Sequence, residues 1–260
     1  MENRADTSAA SWRTAEAYTY LYEVERRMFA WEWLRRTRDY HEAWTAAHRL
    51  DPFAREAVAR LFGLAALIDP AYDGATARPI WLARHDPHVV VARVEESGAP
   101  PADRLDVRRF GGTAAALAVD AAGVEYWRLG DAKLAVRLDL RKGTLLGAPT
   151  PLAYDVAGLI RAKPTLDALQ TLLQLVKSPP NGRGTGSARP RISRWILELR
   201  TADALVAGAT QRTMAVNFFG PPAAMWRQHE DSYRLRIQRL VRRARACLAN
   251  PLARSWFSAD

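Results

Sequence analysis

Apolar side chains recur at helical spacing through the first part of the chain. Between residues 12 and 48 they return every three or four positions, which is typical of helices that bury one face. Asp51-Pro52 predicts the start of a further helix, because Asp is a favoured N-cap and Pro a favoured first residue. We expect that helix to run through Leu67 and to end at Asp69-Pro70. The residues on the first predicted apolar face are Ala17, Tyr20, Leu21, Val24, Met28, Trp31 and Leu34.

After Pro79 the pattern changes to short runs with β-branched or alternating apolar residues. Strands are predicted over 89–94, 114–119, 124–129 and 134–140. The last three are joined by short, turn-like connections at 120–123 and around Gly130-Asp131, which indicates a small antiparallel β-meander from about residue 113 to 140. Helical periodicity returns over 165–177.

Residues 178–190 are rich in Pro and Gly, and about seventy residues with helical patterning follow them. We therefore predict an α+β protein with N-terminal helices, a small antiparallel β-meander and a C-terminal helical module of the helix-turn-helix type. The predicted regions are 1–80 for the N-terminal helices, 81–178 for the meander with its helix, 179–190 for a linker and 191–260 for the C-terminal module.

The composition favours a polyanionic partner. Lys and Arg number 38 against 28 Asp and Glu, which leaves a formal net charge of +10. Only four of these cations are Lys, and the guanidinium of Arg is well shaped for phosphates and guanine edges. The excess therefore favours polyanionic partners as a class, and double-stranded DNA belongs to that class.

One cysteine, Cys247, excludes an intramolecular disulfide and a multi-cysteine zinc site for this sequence. Residues 1–10 have no apolar signal core, and no run of about 18 apolar residues is present. We expect a cytoplasmic protein, associated with the nucleoid when bound, that does not span or rest on a membrane. No catalytic grouping, cofactor motif or metal-ligand spacing stands out, so we expect neither an enzyme nor a cofactor.

The arginine helix, predicted over 231–248, carries six arginines and no acid after residue 231. At about 100° per residue these arginines occupy one side of the helix, and apolar residues occupy the other. A solvated helix face usually mixes both signs of charge, whereas six like charges repel each other unless a polyanion neutralises them. A membrane-surface helix would carry bulky Trp or Phe on its apolar side, and this one does not. The arginine face consists of Arg234, Arg236, Arg239, Arg242, Arg243 and Arg245.

The segments before the arginine helix fit a helix-turn-helix order. A helix is predicted over 192–207, Gly208 supplies a turn, and Thr210 can cap a second helix over 211–219 that Gly220 closes. Residues 220–230 then separate the last two helices, whereas the usual turn has about three or four residues. In such a module the first residues of the last helix lie nearest base edges, here Ser232, Arg234 and Arg236.

The chain resembles the proteobacterial transcriptional activators of the FseA and RovC type, which carry a variant helix-turn-helix domain at the C-terminus. The N-terminal motifs that carry the resemblance are Trp12, Ala17-Tyr18-Thr19-Tyr20-Leu21, Ala30-Trp31-Glu32-Trp33-Leu34-Arg35-Arg36 and Asp39-Tyr40. Those further along are Trp81 after Asp69-Pro70, Leu138-Asp139-Leu140 with Gly143, Leu145-Leu146, Gly208-Ala209, Arg212, Ala215, Phe219-Gly220 and Arg239-Leu240-Val241-Arg242. Thr37-Arg38, Gln211 and Thr213 depart from the family's usual residues.

The resemblance implies a regulator of conjugative-element transfer or of secretion genes. We expect a sequence-specific DNA-binding activator that acts as a homo-oligomer, with RNA polymerase or an antiactivator protein as further candidate partners. The alternative is a protein-interaction regulator, an antiactivator or co-regulator, whose helix-turn-helix-like domain binds another protein instead of DNA. The expected DNA-binding residues are Thr210, Gln211, Arg212, Arg227, Ser232, Arg234, Arg236, Arg239, Arg242, Arg243 and Arg245.

Several other groups have simpler explanations than a functional site. Gly182-Arg183-Gly184-Thr185-Gly186 follows two prolines, not a strand, and fits a linker better than a phosphate loop. His41 and His48 lie two helical turns apart, which favours surface or capping roles over metal chelation. Cys247 is expected to be a buried thiol. Arg35, Arg36 and Arg38 could form a second phosphate contact, but a solvated or subunit-pairing face is the simpler hypothesis.

Overall fold

The computed structural model describes residues 12–96, 98–131, 134–178, 191–220, 232–252 and 256–257. Their contacts divide the chain into two compact units, each built from separate stretches of sequence. The helical unit contains Met1–Thr45, Ile68–Pro79 and Ala188–Trp256, and the sheet unit contains Ala46–Leu67, Ile80–Ser187 and Phe257–Asp260. The linker predicted over 179–190 lies outside the described residues.

The helical unit combines stretches from the N-terminal and C-terminal parts of the sequence. A 3-10 segment, Ala15–Tyr22, precedes helices α1 (Arg26–Leu34) and α2 (Arg38–Ala47), the second of which ends in the sheet unit. A short helix α4 (Gly74–Ala77) also belongs to this unit. The C-terminal helices are α6 (Ile192–Val206), α7 (Gln211–Phe219) and α8 (Ser232–Ala249).

Aromatic residues of α1 form the core of the helical unit. Phe29, Trp31 and Trp33 are fully buried, and the Phe29 ring stacks on Trp256 at 5.8 Å between centroids. The indole of Trp31 donates a hydrogen bond to the carbonyl of Tyr72 at 3.0 Å. Burying rings of this size removes a large apolar area from water, so this cluster supplies much of the unit's stability.

The sheet unit is a six-stranded mixed sheet in the order β2-β6-β1-β5-β4-β3. All neighbouring pairs are antiparallel except β1 and β5, which are parallel. Helices α3 (Pro52–Leu61) and α5 (Leu159–Lys177) complete the unit. The strands are β1 (Val89–Val94), β2 (Arg104–Leu105), β3 (Ala114–Val119), β4 (Glu125–Gly130), β5 (Ala135–Leu140) and β6 (Thr150–Asp155).

Alternation along the strands places the larger hydrophobic cluster of the sheet unit on one face, and a smaller cluster contains Ala65, Leu82 and Tyr126. On this face, strand residues form one buried cluster with residues of α5. The strand residues are Val90, Ala92, Leu138 and Leu140, and the helix residues are Ala168, Leu172 and Leu175. Gly130 makes the β4–β5 turn possible, because its φ is +111° and a Cβ there would lie 2.1 Å from the carbonyl oxygen of Leu134. The predicted meander is therefore present as β3, β4 and β5.

The sequence patterns missed some element boundaries. Residues 12–34 form a 3-10 segment and a separate α-helix, because Glu25 has an extended backbone and a spacing of three fits both helix types. The helix capped by Asp51 ends at Leu61, since Gly63 adopts a φ of +77° and Leu64 pairs with Trp81. Strand β6 was not predicted, because it contains Pro151 and proline is rare inside strands. Helix α5 begins six residues before its predicted start, although it contains Pro164.

Candidate nucleic-acid interface

The apolar side of α8 packs on the two preceding helices. Ile237, Leu240, Val241 and Ala244 are buried, with exposed fractions from 0 to 7%. The first three form one cluster with the residues Trp12, Ala204, Met214 and Ala215. Because this side is anchored, the opposite side of α8 is held towards solvent.

The turn between α6 and α7 has the predicted geometry. Gly208 has a φ of +70°, a value that residues with a Cβ rarely adopt. The Thr210 hydroxyl accepts a hydrogen bond from the amide of Thr213 at 3.1 Å and so caps α7. Gly220, with a φ of +84°, follows the last residue of α7. The connection 221–231 lies outside the described residues.

All six members of the arginine face are exposed to solvent. Within the part of the chain that the structure describes, Arg239, Arg242 and Arg245 have no ion-pair partner. Together with the lack of acids along α8, this leaves a band of positive charge that no described carboxylate neutralises. Such a band attracts phosphate groups at a range set by the ionic strength.

Two members of the arginine face make contacts inside the module. The guanidinium carbon of Arg236 lies 4.2 Å from the ring centroid of Phe219. Arg243 lies 3.5 Å from Oε1 of Glu198, a fully buried carboxylate of α6 that also pairs with Arg194 at 3.2 Å. The charge of Arg243 is thus partly balanced within the protein.

The remaining predicted DNA-binding residues lie at helix starts or outside the described part. Thr210, Gln211 and Arg212 lie at the N-terminus of α7, with Thr210 and Arg212 exposed and Gln211 half-buried. Ser232 is the first residue of α8. Arg227 falls in the connection that lies outside the described residues. The N-terminus of α7 and the arginine face thus belong to the same three-helix module.

Sequence patterns alone did not indicate the roles of Glu198 or Phe219. Glu198 follows Arg194 by four residues, a spacing that predicts an ion pair on a helix surface but not a buried acid beneath Arg243. Phe219 is the last residue of the helix predicted over 211–219, and its contact with Arg236 depends on how α7 and α8 pack. The residues next to Phe219 in the sequence do not predict that contact.

Arg200 has an internal role although it belongs to the same basic stretch of sequence. Its guanidinium is buried and donates to the carbonyls of Trp12 and Arg13 at 2.9 and 3.2 Å and to Oδ1 of Asn217 at 3.0 Å. Burial lowers the pKa of Arg200, while Tyr18 and Glu16 counteract the shift. Arg200 therefore ties the start of the described chain to α6 and α7.

The arginines at the end of α1 do not form a second phosphate contact. Arg36 pairs with the buried carboxylates Glu32 and Asp203 at 2.5 and 2.8 Å, and Arg35 pairs with Glu32 at 2.8 Å. Arg38 is exposed but pairs with Glu42 at 2.5 Å. Both the phosphate contact and the favoured solvated or subunit-pairing face are therefore wrong for Arg35 and Arg36, because these side chains are largely buried and bind carboxylates inside the helical unit.

The candidate histidine and cysteine sites have structural explanations. The His41 ring hydrogen-bonds the carbonyl of Arg35 at 2.8 Å, which satisfies a carbonyl just beyond α1. Cys247 is half-buried, so the expectation of a buried thiol was wrong in degree. Among the described residues, no group of three or more His, Cys, Asp or Glu could hold a metal ion. None of the described helices is long and apolar enough to cross a membrane.

Three helices with a glycine turn, a capped middle helix and an arginine face define a candidate DNA-binding module. Comparison with domain families agrees with this class. Residues 11–65 match a proteobacterial transcriptional regulator-like domain, and residues 152–250 match the DNA-binding domain of a T6SS transcription factor. The chain therefore carries the domains of a transcription factor.

The two matches together span more than half of the chain, and this pair of domains matches a RovC-type proteobacterial regulator. Both matched families are regulator domains and not enzyme families. No curated protein and no solved structure is similar enough to the chain to count as a match.

Proposed function

We propose that this protein is a sequence-specific DNA-binding activator of conjugative-transfer or secretion-type operons, and that it has no enzymatic activity. It works in the cytoplasm and associates with the nucleoid when bound. The observation that carries the proposal is the exposed, acid-free arginine face of α8, whose apolar reverse side is anchored on α6 and α7. The matched DNA-binding domain covers the same helices.

Phosphate contacts account for most of the expected affinity. Arg239, Arg242 and Arg245 have no described ion-pair partner, so binding to phosphate replaces contact with water and does not break an internal pair. Neutralising phosphates releases condensed counterions, which favours binding at low salt. Further proposed contacts to the DNA phosphate backbone are Thr210, Gln211 and Arg212 at the N-terminus of α7, and Arg227 in the connection after α7.

Base contacts fall to the start of α8. In helix-turn-helix modules the N-terminal residues of the last helix approach base edges in the major groove. Ser232, Arg234 and Arg236 occupy the first turn and a half of α8. Arginine can form two parallel hydrogen bonds with the O6 and N7 of guanine, which distinguishes this base from the others.

One module offers few contacts, so we propose that the protein binds as a symmetric homo-oligomer. Symmetry repeats the phosphate contacts and requires a spaced or palindromic site. The sheet unit has exposed apolar residues on α3, including Phe53 and Leu61 at 69% and 80% exposure, which suit a protein interface. RNA polymerase and an antiactivator protein are the other proposed partners.

A salt titration of DNA binding tests the proposal. If Arg212, Arg227, Arg239, Arg242 and Arg245 each neutralise one phosphate, log affinity should fall with log salt with a slope of about −4 to −5. The full chain should also prefer duplexes enriched by selection from a random pool over scrambled versions of them. A flat salt response with no enriched duplex would contradict DNA binding.

The alternative is a protein-interaction regulator whose module binds another protein. The connection between α7 and α8 favours it, because about eleven residues replace the usual turn of three or four. In that case the arginine face would bind an acidic protein surface, and DNA affinity would stay weak and independent of sequence. Co-purification of a stable partner together with the absence of an enriched duplex would support this alternative.

A further inference from the structure

Arg236, a member of the arginine face, contacts an aromatic ring. Its guanidinium carbon lies 4.2 Å from the ring centroid of Phe219, the last residue of α7. The ring is itself held in place, since it is half-buried and contacts the rings of Tyr233 at 5.8 Å and Phe218 at 6.3 Å. Arg236 therefore lies against a fixed support, whereas Arg239, Arg242 and Arg245 have none among the described residues.

This contact restricts Arg236 without occupying its hydrogen-bond donors. Cation–π attraction acts between the positive charge and the face of the ring, and it uses no N–H group. No hydrogen bond or ion pair joins Arg236 to a described residue, and its side chain is exposed. The donors in the guanidinium plane thus remain available to a ligand, while the side chain has lost part of its rotamer freedom before binding.

We propose that Phe219 is a positioning residue that holds Arg236 for a two-hydrogen-bond contact with a guanine edge. The inference rests on the proposed DNA binding. An arginine that contacts phosphates tolerates several positions, because phosphates are spaced along the whole backbone. An arginine that distinguishes one base needs a defined position and direction, so ordering it before binding increases discrimination more than overall affinity.

The neighbouring ring shows how burial changes the same contact. Phe218 carries the guanidinium of Arg200 at 4.8 Å, but that arginine is buried and its donors bind Trp12, Arg13 and Asn217. Arg200 on Phe218 is therefore part of the core. Arg236 on Phe219 has the ring support without the internal hydrogen bonds, which suits an external ligand.

The test uses the full chain and a duplex enriched by selection from a random pool. Four variants are compared with the wild type: Arg236→Lys, Phe219→Leu, Phe219→Tyr and the double variant Phe219→Leu/Arg236→Lys. Arg245→Ala serves as the matched arginine without ring support. For each protein we would measure the dissociation constants for the selected and a scrambled duplex, the salt slope and the melting temperature.

Arg236→Lys should reduce discrimination between the two duplexes by about tenfold, because it keeps the charge but loses the planar fork. Phe219→Leu should reduce discrimination by about fivefold with an unchanged salt slope, and Phe219→Tyr should retain it because the ring remains. The double variant should discriminate no worse than Arg236→Lys. Arg245→Ala should weaken binding to both duplexes equally.

Different outcomes separate this inference from the proposed function. If the wild type enriches no duplex, both are overturned. If the wild type discriminates but Phe219→Leu does so equally well at an unchanged melting temperature, only the role of Phe219 is overturned. If the losses from Phe219→Leu and Arg236→Lys add in the double variant, Phe219 acts through general stability and the positioning role is wrong.

Discussion

The chain has two comparable pairs of adjacent arginines, each in or directly after a helix that buries one side. The first is Arg35-Arg36, directly after α1, and the second is Arg242-Arg243, in α8. In the structure they differ in what surrounds them. The side chain of Arg36 is 11% exposed and contacts two buried carboxylates, Glu32 and Asp203. Arg242 is exposed with no ion-pair partner among the described residues, and Arg243 shares one carboxylate with Arg194.

The difference lies in the carboxylates and not in the arginines. Glu32 lies in α1, four residues before Arg36, while Asp203 comes from α6, 167 positions along the chain. A buried guanidinium requires such partners because its desolvation is costly. An arginine without them stays in water and remains available to a polyanion. The first pair therefore stabilises the helical unit, and the second supplies the proposed interface.

Removing a buried carboxylate should break this comparison most strongly. We expect Glu32→Gln to lower the free energy of unfolding by about 3–5 kcal/mol, since it leaves two largely buried arginines short of a negative charge. Denaturant unfolding of the full chain measures the loss. Glu42→Gln, which removes the partner of exposed Arg38, should leave stability nearly unchanged. An equal loss of unfolding free energy for the two substitutions would show that the buried ion pairs stabilise the protein no more than the exposed pair does.

Acid should weaken the same network. Burial alone would raise the pKa of Glu32, but Arg36 and Arg35 outweigh it and hold that pKa below its ordinary value of 4.5. A carboxyl whose pKa is lower when folded stabilises the protein above its unfolded pKa, and the contribution is lost as pH falls through the folded pKa. The stability difference between wild type and Glu32→Gln should therefore shrink below about pH 4.5. A difference that stays constant down to pH 3 would contradict this assignment.

Reversing the charge of two arginines in α8 should weaken DNA binding and leave folding unchanged. We expect the double variant Arg239→Glu/Arg242→Glu to weaken binding about a hundredfold on every duplex at low salt, with a shallower salt slope. Fluorescence anisotropy with selected and scrambled duplexes measures both quantities. Arg38→Glu is the matched control, because it reverses an exposed arginine away from the arginine face. Unchanged affinity in the double variant would place the DNA contact elsewhere.

The smallest effect should distinguish the two neighbours within α8. Arg242→Ala should reduce DNA affinity by about threefold to tenfold and leave stability unchanged. Arg243→Ala should reduce affinity less, because Glu198 already balances part of its charge, and should lower the free energy of unfolding by less than about 1 kcal/mol. If both variants lose the same affinity at equal stability, the Glu198 contact does not limit Arg243.

Much of the C-terminal module could be predicted because its signals are local. The bounds of α7 match the prediction, since Thr210 and Gly220 mark its ends with a cap and a left-handed turn. Strand β1 and the meander followed from alternation and short turns. Strand β6 and the early start of α5 did not, because each contains a proline whose tolerance depends on its neighbours.

The candidate site likewise has features that local sequence predicts and features that depend on tertiary contacts. The sequence by itself determined that α8 is amphipathic, that six arginines share one side and that the helix contains no acid after Asp231, because these properties depend only on residue order and helix geometry. Only the tertiary structure decided which arginines remain available. It placed Glu198 beneath Arg243, Phe219 against Arg236 and Asp203 beside Arg36, and such partners are set by packing between helices distant in sequence.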